Sequence, residues 1–119
     1  MPAEFALSEE PLGEARHIVA VRGEIDLFTA PELKKTLQEA IEGGATRVVV
    51  DLSETTFLDS TALGVLIGAV KRLRSRDGSL VIVNTDTNIA KTCEITGLDQ
   101  IFTILDTRDA AVDALDQAA

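Results

Sequence analysis

An α/β fold with a mixed β-sheet, in the order β-β-α-β-α-β-α-β-α, is the architecture this chain predicts. Three observations carry it. Short apolar, β-branched runs alternate along the chain with segments of helical periodicity. Helix-stopping pairs, Gly43-Gly44 and Asp77-Gly78, and the single Gly97 fall where one pattern gives way to the next. The first two strand-like segments have no helix between them and so suit an antiparallel pair, whereas strands separated by helices pair in parallel. The 119 residues allow one domain, 1–119, with no linker and no internal repeat.

The elements follow in order. Phe5 and Leu7 alternate with polar neighbours and open a first strand. Residues 16–22, with Ile18, Val19, Ala20 and Val21, form a second, and 23–28 read as a turn or loop carrying Glu24 and Asp26. Thr29 and Glu32 have the spacing of a capping box, and Pro31 lies in the first helical turn, where a missing N–H costs nothing. Leu33, Leu37, Ala40 and Ile41 share one helical face, and Gly43-Gly44 end the helix. Residues 47–52, centred on Val48, Val49 and Val50, suit a strand covered on both faces. Residues 53–58 read as a connection. A helix over 60–76 carries an apolar stripe of Leu63, Leu66, Ile67, Val70 and Leu73. It is followed by a strand at 80–83, a short helix at 88–96, a strand at 101–105 and a helix at 107–117.

Composition excludes several function classes. The net charge is -9, from 20 acidic and 11 basic residues. Affinity for phosphate backbones and anionic lipid comes from Lys and Arg, so neither nucleic acid nor a membrane surface is the expected partner. Four Phe, with no Trp or Tyr, provide no base-stacking platform. One Cys and one His exclude a disulfide framework and argue against a structural zinc site. The longest run without charged or strongly polar residues, 62–70, is far short of the about 20 residues of a membrane span. Residues 1–11 are acidic and lack the basic-then-apolar pattern of an export signal, so a cytoplasmic protein with a reduced thiol is expected. No G-x-S-x-G elbow, phosphate-binding G-x-x-x-x-G-K-[ST] loop or H-E-x-x-H metal motif occurs, and the only His is remote in sequence from Ser60. Neither enzymatic activity nor a cofactor is expected.

The chemistry-bearing candidates sit where the third strand meets the second helix. Asp59, Ser60 and Thr61 cluster at that helix start. Simple capping explains Asp and Ser there. A phosphate on a hydroxyl at this place would also meet the positive end of the helix dipole and free N–H donors, adding nearly two negative charges without melting the helix. Gly64 and Gly68 suggest close helix–sheet packing, and Ala62, Val65 and Ala69 form a small-residue stripe that either meets the sheet or faces a partner. Lys71, Arg72, Arg74 and Arg76 read as a solvated helix end, Cys93 as core and His17 as structural or surface.

The stretch Phe57-Leu58-Asp59-Ser60-Thr61-Ala62-Leu63-Gly64-Val65-Leu66, preceded by Asp51-Leu52-Ser53, resembles the signature of STAS domains, and more narrowly of bacterial anti-sigma factor antagonists. Gly23-Glu24-Ile25-Asp26-Leu27-Phe28-Thr29-Ala30 is similar to the family's G-x-[IL]-D-hydrophobic-x-[ST]-[AS] region. The resemblance implies a single STAS-like domain and a partner-switching role. An anti-sigma factor that is also a serine kinase would phosphorylate Ser60; the unphosphorylated antagonist would bind that kinase and release the sigma factor, and a phosphatase would reset the switch. It also implies that Asp26 lies near the phosphorylation site and that Asp59 holds the loop or meets the kinase, beside the plainer readings of turn residue and N-cap. Thr61 is an alternative acceptor hydroxyl. Ala62 departs from the Gly of many relatives, a change expected to spare the fold and to alter how closely a partner approaches. A second reading is a STAS subunit of another assembly, such as a lipid-transport complex or a stress-signalling scaffold.

Overall fold

The computed structural model describes residues 4–13 and 15–117. Met1–Ala3, part of the segment read for an export signal, and Glu14 and the last two residues lie outside it. Strands β1 (Ala6–Leu12), β2 (Arg16–Ile25), β3 (Arg47–Leu58), β4 (Ser79–Val83) and β5 (Thr103–Leu105) form one sheet in chain order. β1 pairs with β2 antiparallel, and every later pair is parallel, as the placement of helices between strands dictates. Helices α1 (Ala30–Glu42), α2 (Ser60–Arg74) and α3 (Thr87–Ile95) bury their apolar stripes on one face of the sheet, in a cluster including Leu33, Leu37, Leu66, Leu73, Ile89 and Cys93. Helix α4 (Arg108–Gln117) covers the other face, where Ala111 and Leu115 meet Ile18, Val49, Val81 and Val83. Each fully buried Leu, Ile or Val contributes roughly 1.5–3 kcal/mol relative to an exposed one.

Two stretches read as irregular are strand. β2 continues through Gly23 and Glu24 to Ile25, and β3 runs through 53–58 instead of ending at Leu52. The reason is the pair of register shifts between them, at Ala20/Arg22 and Gly23/Glu24. Each shift breaks the apolar alternation that marks a strand in sequence while keeping the pairing. Polar residues are tolerated because Thr55 is satisfied, its hydroxyl donating to the Val21 carbonyl at 2.8 Å. The expected strand at 101–105 is also shorter: Leu98–Gln100 form a 3-10 turn, Ile101 is exposed, and pairing begins at Thr103.

The turn after α2 divides its labour between two residues. Asp77 takes the left-handed conformation (φ 58°), normally the work of glycine. Gly78 is required for close approach instead. A Cβ there would lie 2.3 Å from the Thr46 carbonyl oxygen, and its N–H donates to the Leu73 carbonyl at 2.7 Å. Gly78→Ala is therefore expected to destabilise by about 1–3 kcal/mol, since the neighbour it strikes is backbone. Asp77→Gly should be near neutral. A urea titration of both variants checks the contrast; a Gly78→Ala variant as stable as wild type would contradict it.

Candidate functional site

The residues singled out in the sequence lie on two connections leaving the same end of the sheet, after β2 and β3. Their backbones are joined: the Asp59 N–H donates to the Ile25 carbonyl at 3.2 Å.

After β2 the chain folds into a turn closed by Asp26. Its Oδ1 accepts from the Phe28 N–H at 2.9 Å and the Thr29 N–H at 3.1 Å, with the Thr29 hydroxyl 3.2 Å away. Asp and Asn favour such side-chain-closed turns. The Thr29 N–H foremost, then that of Phe28, holds the half-buried Asp26 carboxyl below its ordinary pKa. The Thr29 hydroxyl accepts from the Asp26 N–H at 2.8 Å and donates to the Glu24 carbonyl at 2.9 Å. The expected capping box with Glu32 is therefore not formed. Thr29 is the N-cap by position, but its hydroxyl is spent on the turn. Asp26 is thus a turn residue, as the plainer reading had it, on the element next to Ser60.

After β3, Asp59 is the N-cap of α2. Its backbone is extended (φ -109°, ψ -175°), and Oδ1 accepts from the Ala62 N–H at 3.1 Å. Ser60 is the first helical residue and exposed; Thr61 is half-buried. Ala62 is fully buried, so its side chain shapes the helix start from within. Among the described residues, no protein acceptor takes the N–H of Ser60 or Thr61 and no partner holds the Ser60 hydroxyl. This is the condition under which a helix start receives an anion. Lys71, Arg72 and Arg74 complement the other end of the helix dipole.

Gly64 and Gly68 do not serve close packing on the sheet. Both are exposed, and a Cβ on either would meet nothing within 4 Å. They line, with Ala30, Pro31, Thr61 and Arg72, a groove of about 540 Å³ between α1 and α2. In the small-residue stripe, Ala62 and Ala69 are buried in the core and Val65 borders the groove. Of the basic helix end, Lys71 and Arg74 are exposed, Arg72 is half-buried and lines the groove, and Arg76 staples α1 by donating to the Ile41 carbonyl at 2.8 Å. His17 bonds Glu9 at 2.9 Å, and Cys93 is buried.

Three features escaped the sequence reading. Leu27 and Phe28, at the crown of the Asp26 turn, are 64% and 85% exposed. Phe57, opposite Glu24 in the β2–β3 register, is half exposed. Apolar residues inside a turn were the signal available for the first two. The third feature is an ion pair. Buried Asp51 accepts from the Ser53 N–H at 2.9 Å and from Arg108 Nη2 at 2.7 Å and Nε at 3.1 Å. A separation of 57 positions between the partners leaves no local pattern that would join them. Among the described residues no cluster of His, Cys, Asp or Glu is arranged to hold a metal ion, and no helix is long and apolar enough to cross a membrane.

Known proteins resemble the chain over most of this framework. The STAS domain family model matches residues 12–111. An anti-sigma-B factor antagonist of Listeria monocytogenes is 42% identical over 88 residues, covering 72% of this chain and 75% of the relative. One of Staphylococcus aureus is 36% identical over 84 residues, covering 71% and 78%. The crystal structure of an anti-sigma factor antagonist from Mycobacterium paratuberculosis superposes with a TM-score of 0.86 at 28% identity, covering 95% of each chain. The family model spans both motifs and most of the chain, residues 12–111, and the chain belongs to the STAS domain family.

Proposed function

We propose that this protein is an anti-sigma factor antagonist that works by partner switching. Unphosphorylated, it binds an anti-sigma factor that is also a serine kinase, and the sigma factor is released. Phosphorylation of Ser60 ends the complex, and a phosphatase restores the binding form. The protein is then a binding partner and a kinase substrate, not a catalyst. The domain takes in the whole chain, 1–119, and works in the cytoplasm, where ATP and sigma factors meet.

The observation that carries this reading is Ser60 itself, exposed on the first turn of α2 with a free hydroxyl beside unspent N–H donors. In the transfer, Ser60 Oγ attacks the γ-phosphorus of ATP, its proton passes to a base of the kinase, and ADP leaves. The new phosphate carries about -1.5 to -2 charges and sits at the positive end of the helix. It leaves the core untouched, so the modification changes the surface and not the fold. Asp59 holds the helix start so that Ser60 points outward. Asp26 shapes the neighbouring turn, Thr61 flanks the acceptor, and Ala62 lets the helix begin close to the sheet.

Phosphate mapping by mass spectrometry, after incubation with the organism's own anti-sigma kinases and ATP, tests the assignment. Phosphate is expected on Ser60 alone, and Thr61→Ala should accept the wild-type amount. Phosphate on Thr61, or no transfer from any such kinase to the folded chain, would contradict it. The latter result would favour a STAS subunit of another assembly.

A further inference from the structure

We propose that Leu27 and Phe28 form the apolar anchor by which this protein grips its anti-sigma partner. This rests on the partner-switching reading and adds a second contact to it. Single exposed apolar residues are common on protein surfaces. These two are adjacent, strongly exposed and fixed in place. The Phe28 N–H is held by Asp26 at 2.9 Å, and Asp26 is in turn locked by both backbone and hydroxyl of Thr29. A side chain on a turn already ordered loses less freedom on docking, and aromatic residues are enriched at interface cores. The position is continuous with Ser60. The turn follows Ile25, whose carbonyl receives the Asp59 N–H, and Ala30 and Thr61 line one groove.

Charge decides between a second copy and a different protein. Glu24 leads into the turn, Asp26 closes it, Asp59 is bonded through its backbone to Ile25 just before it, and the chain carries a net charge of -9. A second copy would bring the same acids together, whereas like charges at an interface are costly and opposite ones steer association. The fitting occupant is an apolar pocket rimmed by Lys or Arg on the anti-sigma kinase.

The test is the affinity of the purified anti-sigma kinase for wild type, Phe28→Ser and Ile95→Ser, measured with ADP present so that no phosphate is transferred. Ile95 is 76% exposed at the last residue of α3, a different element from the turn, and serves as the control. Truncating an interface anchor costs about thirtyfold or more in affinity. Phe28→Ser should lose that much, with its thermal midpoint unchanged because the ring is exposed, and Ile95→Ser should stay within about twofold of wild type. Equal binding by Phe28→Ser and wild type would overturn the anchor and leave the Ser60 reading standing. Equal loss in both variants would also overturn it. Failure of wild type itself to bind any anti-sigma kinase would overturn both readings. A wild-type dimer in sedimentation that Phe28→Ser dissolves would assign the patch to self-association instead.

Discussion

Ser60→Ala is expected to accept no phosphate and to remain bound to its anti-sigma kinase when ATP is added, a complete loss of switching with no loss of binding. The fold should barely change. Ser60 is not the helix cap; Asp59 is, and Ala is at home inside a helix. The thermal midpoint of Ser60→Ala should therefore move by no more than the equivalent of about 0.5 kcal/mol, whereas Asp59→Ala should lose about 1 kcal/mol with its cap. Ser60→Asp should weaken the complex about tenfold, less than phosphate does, because a carboxylate brings one charge where phosphate brings nearly two. Titration calorimetry with the partner and ADP reads the binding terms, and a thermal scan reads the cap. Equal affinity of the Ala and Asp variants would remove charge as the basis of the switch.

Asp51→Ala is expected to be the most destabilising of the polar substitutions, by about 2–4 kcal/mol. The carboxylate is buried and takes three charge-assisted hydrogen bonds, one from the Ser53 N–H and two from Arg108, which also lies 3.4 Å from Glu10. Hydrogen bonds to charged groups contribute roughly 1.5–3 kcal/mol each, and the partial exposure of Arg108 lowers the total. The pair ties the first turn of α4 to β3 and, through Glu10, to β1. Burial alone would raise the Asp51 pKa; the Ser53 hydroxyl and N–H, together with Arg108, outweigh it and hold the carboxyl below its ordinary value. A depressed native pKa stabilises the fold above the unfolded-state value near pH 4, and that stability is lost as pH falls through the native pKa. The difference in urea midpoint between wild type and Asp51→Asn should thus be full at neutral pH and shrink below about pH 4. A difference that stayed constant down to pH 2 would show that the ionised carboxylate contributes nothing.

The sequence was most legible where one physical rule acted alone. The stripes of α1 and α2, the Val48–Val49–Val50 run and the helix between each pair of parallel strands all appear where periodicity and connection length put them. It was least legible where two rules competed. The two register shifts hid the ends of β2 and β3, because a shifted strand no longer alternates. The Thr29–Glu32 spacing satisfied a capping rule, yet Asp26 claimed the Thr29 hydroxyl first. Gly64 and Gly68 looked like packing glycines, and only the position of α1 shows that they open a groove. At the candidate site, local chemistry marked the Asp59–Ser60–Thr61 cluster as a helix start, but that Asp59 is the cap and Ser60 the exposed residue after it came from the structure. The proximity of the Asp26 turn was implied by family resemblance. The exposed Phe28 and the Asp51–Arg108 pair required the three-dimensional arrangement.

The central claim is that one phosphate on Ser60 releases the partner, and native mass spectrometry of the preformed complex after addition of ATP tests it most directly. Wild type should appear as free chain heavier by one phosphate, mapped to Ser60, while Ser60→Ala stays in the complex at its original mass. A phosphorylated chain that remains bound, or a wild-type complex that dissociates on ATP addition with no phosphate on Ser60, would contradict the account.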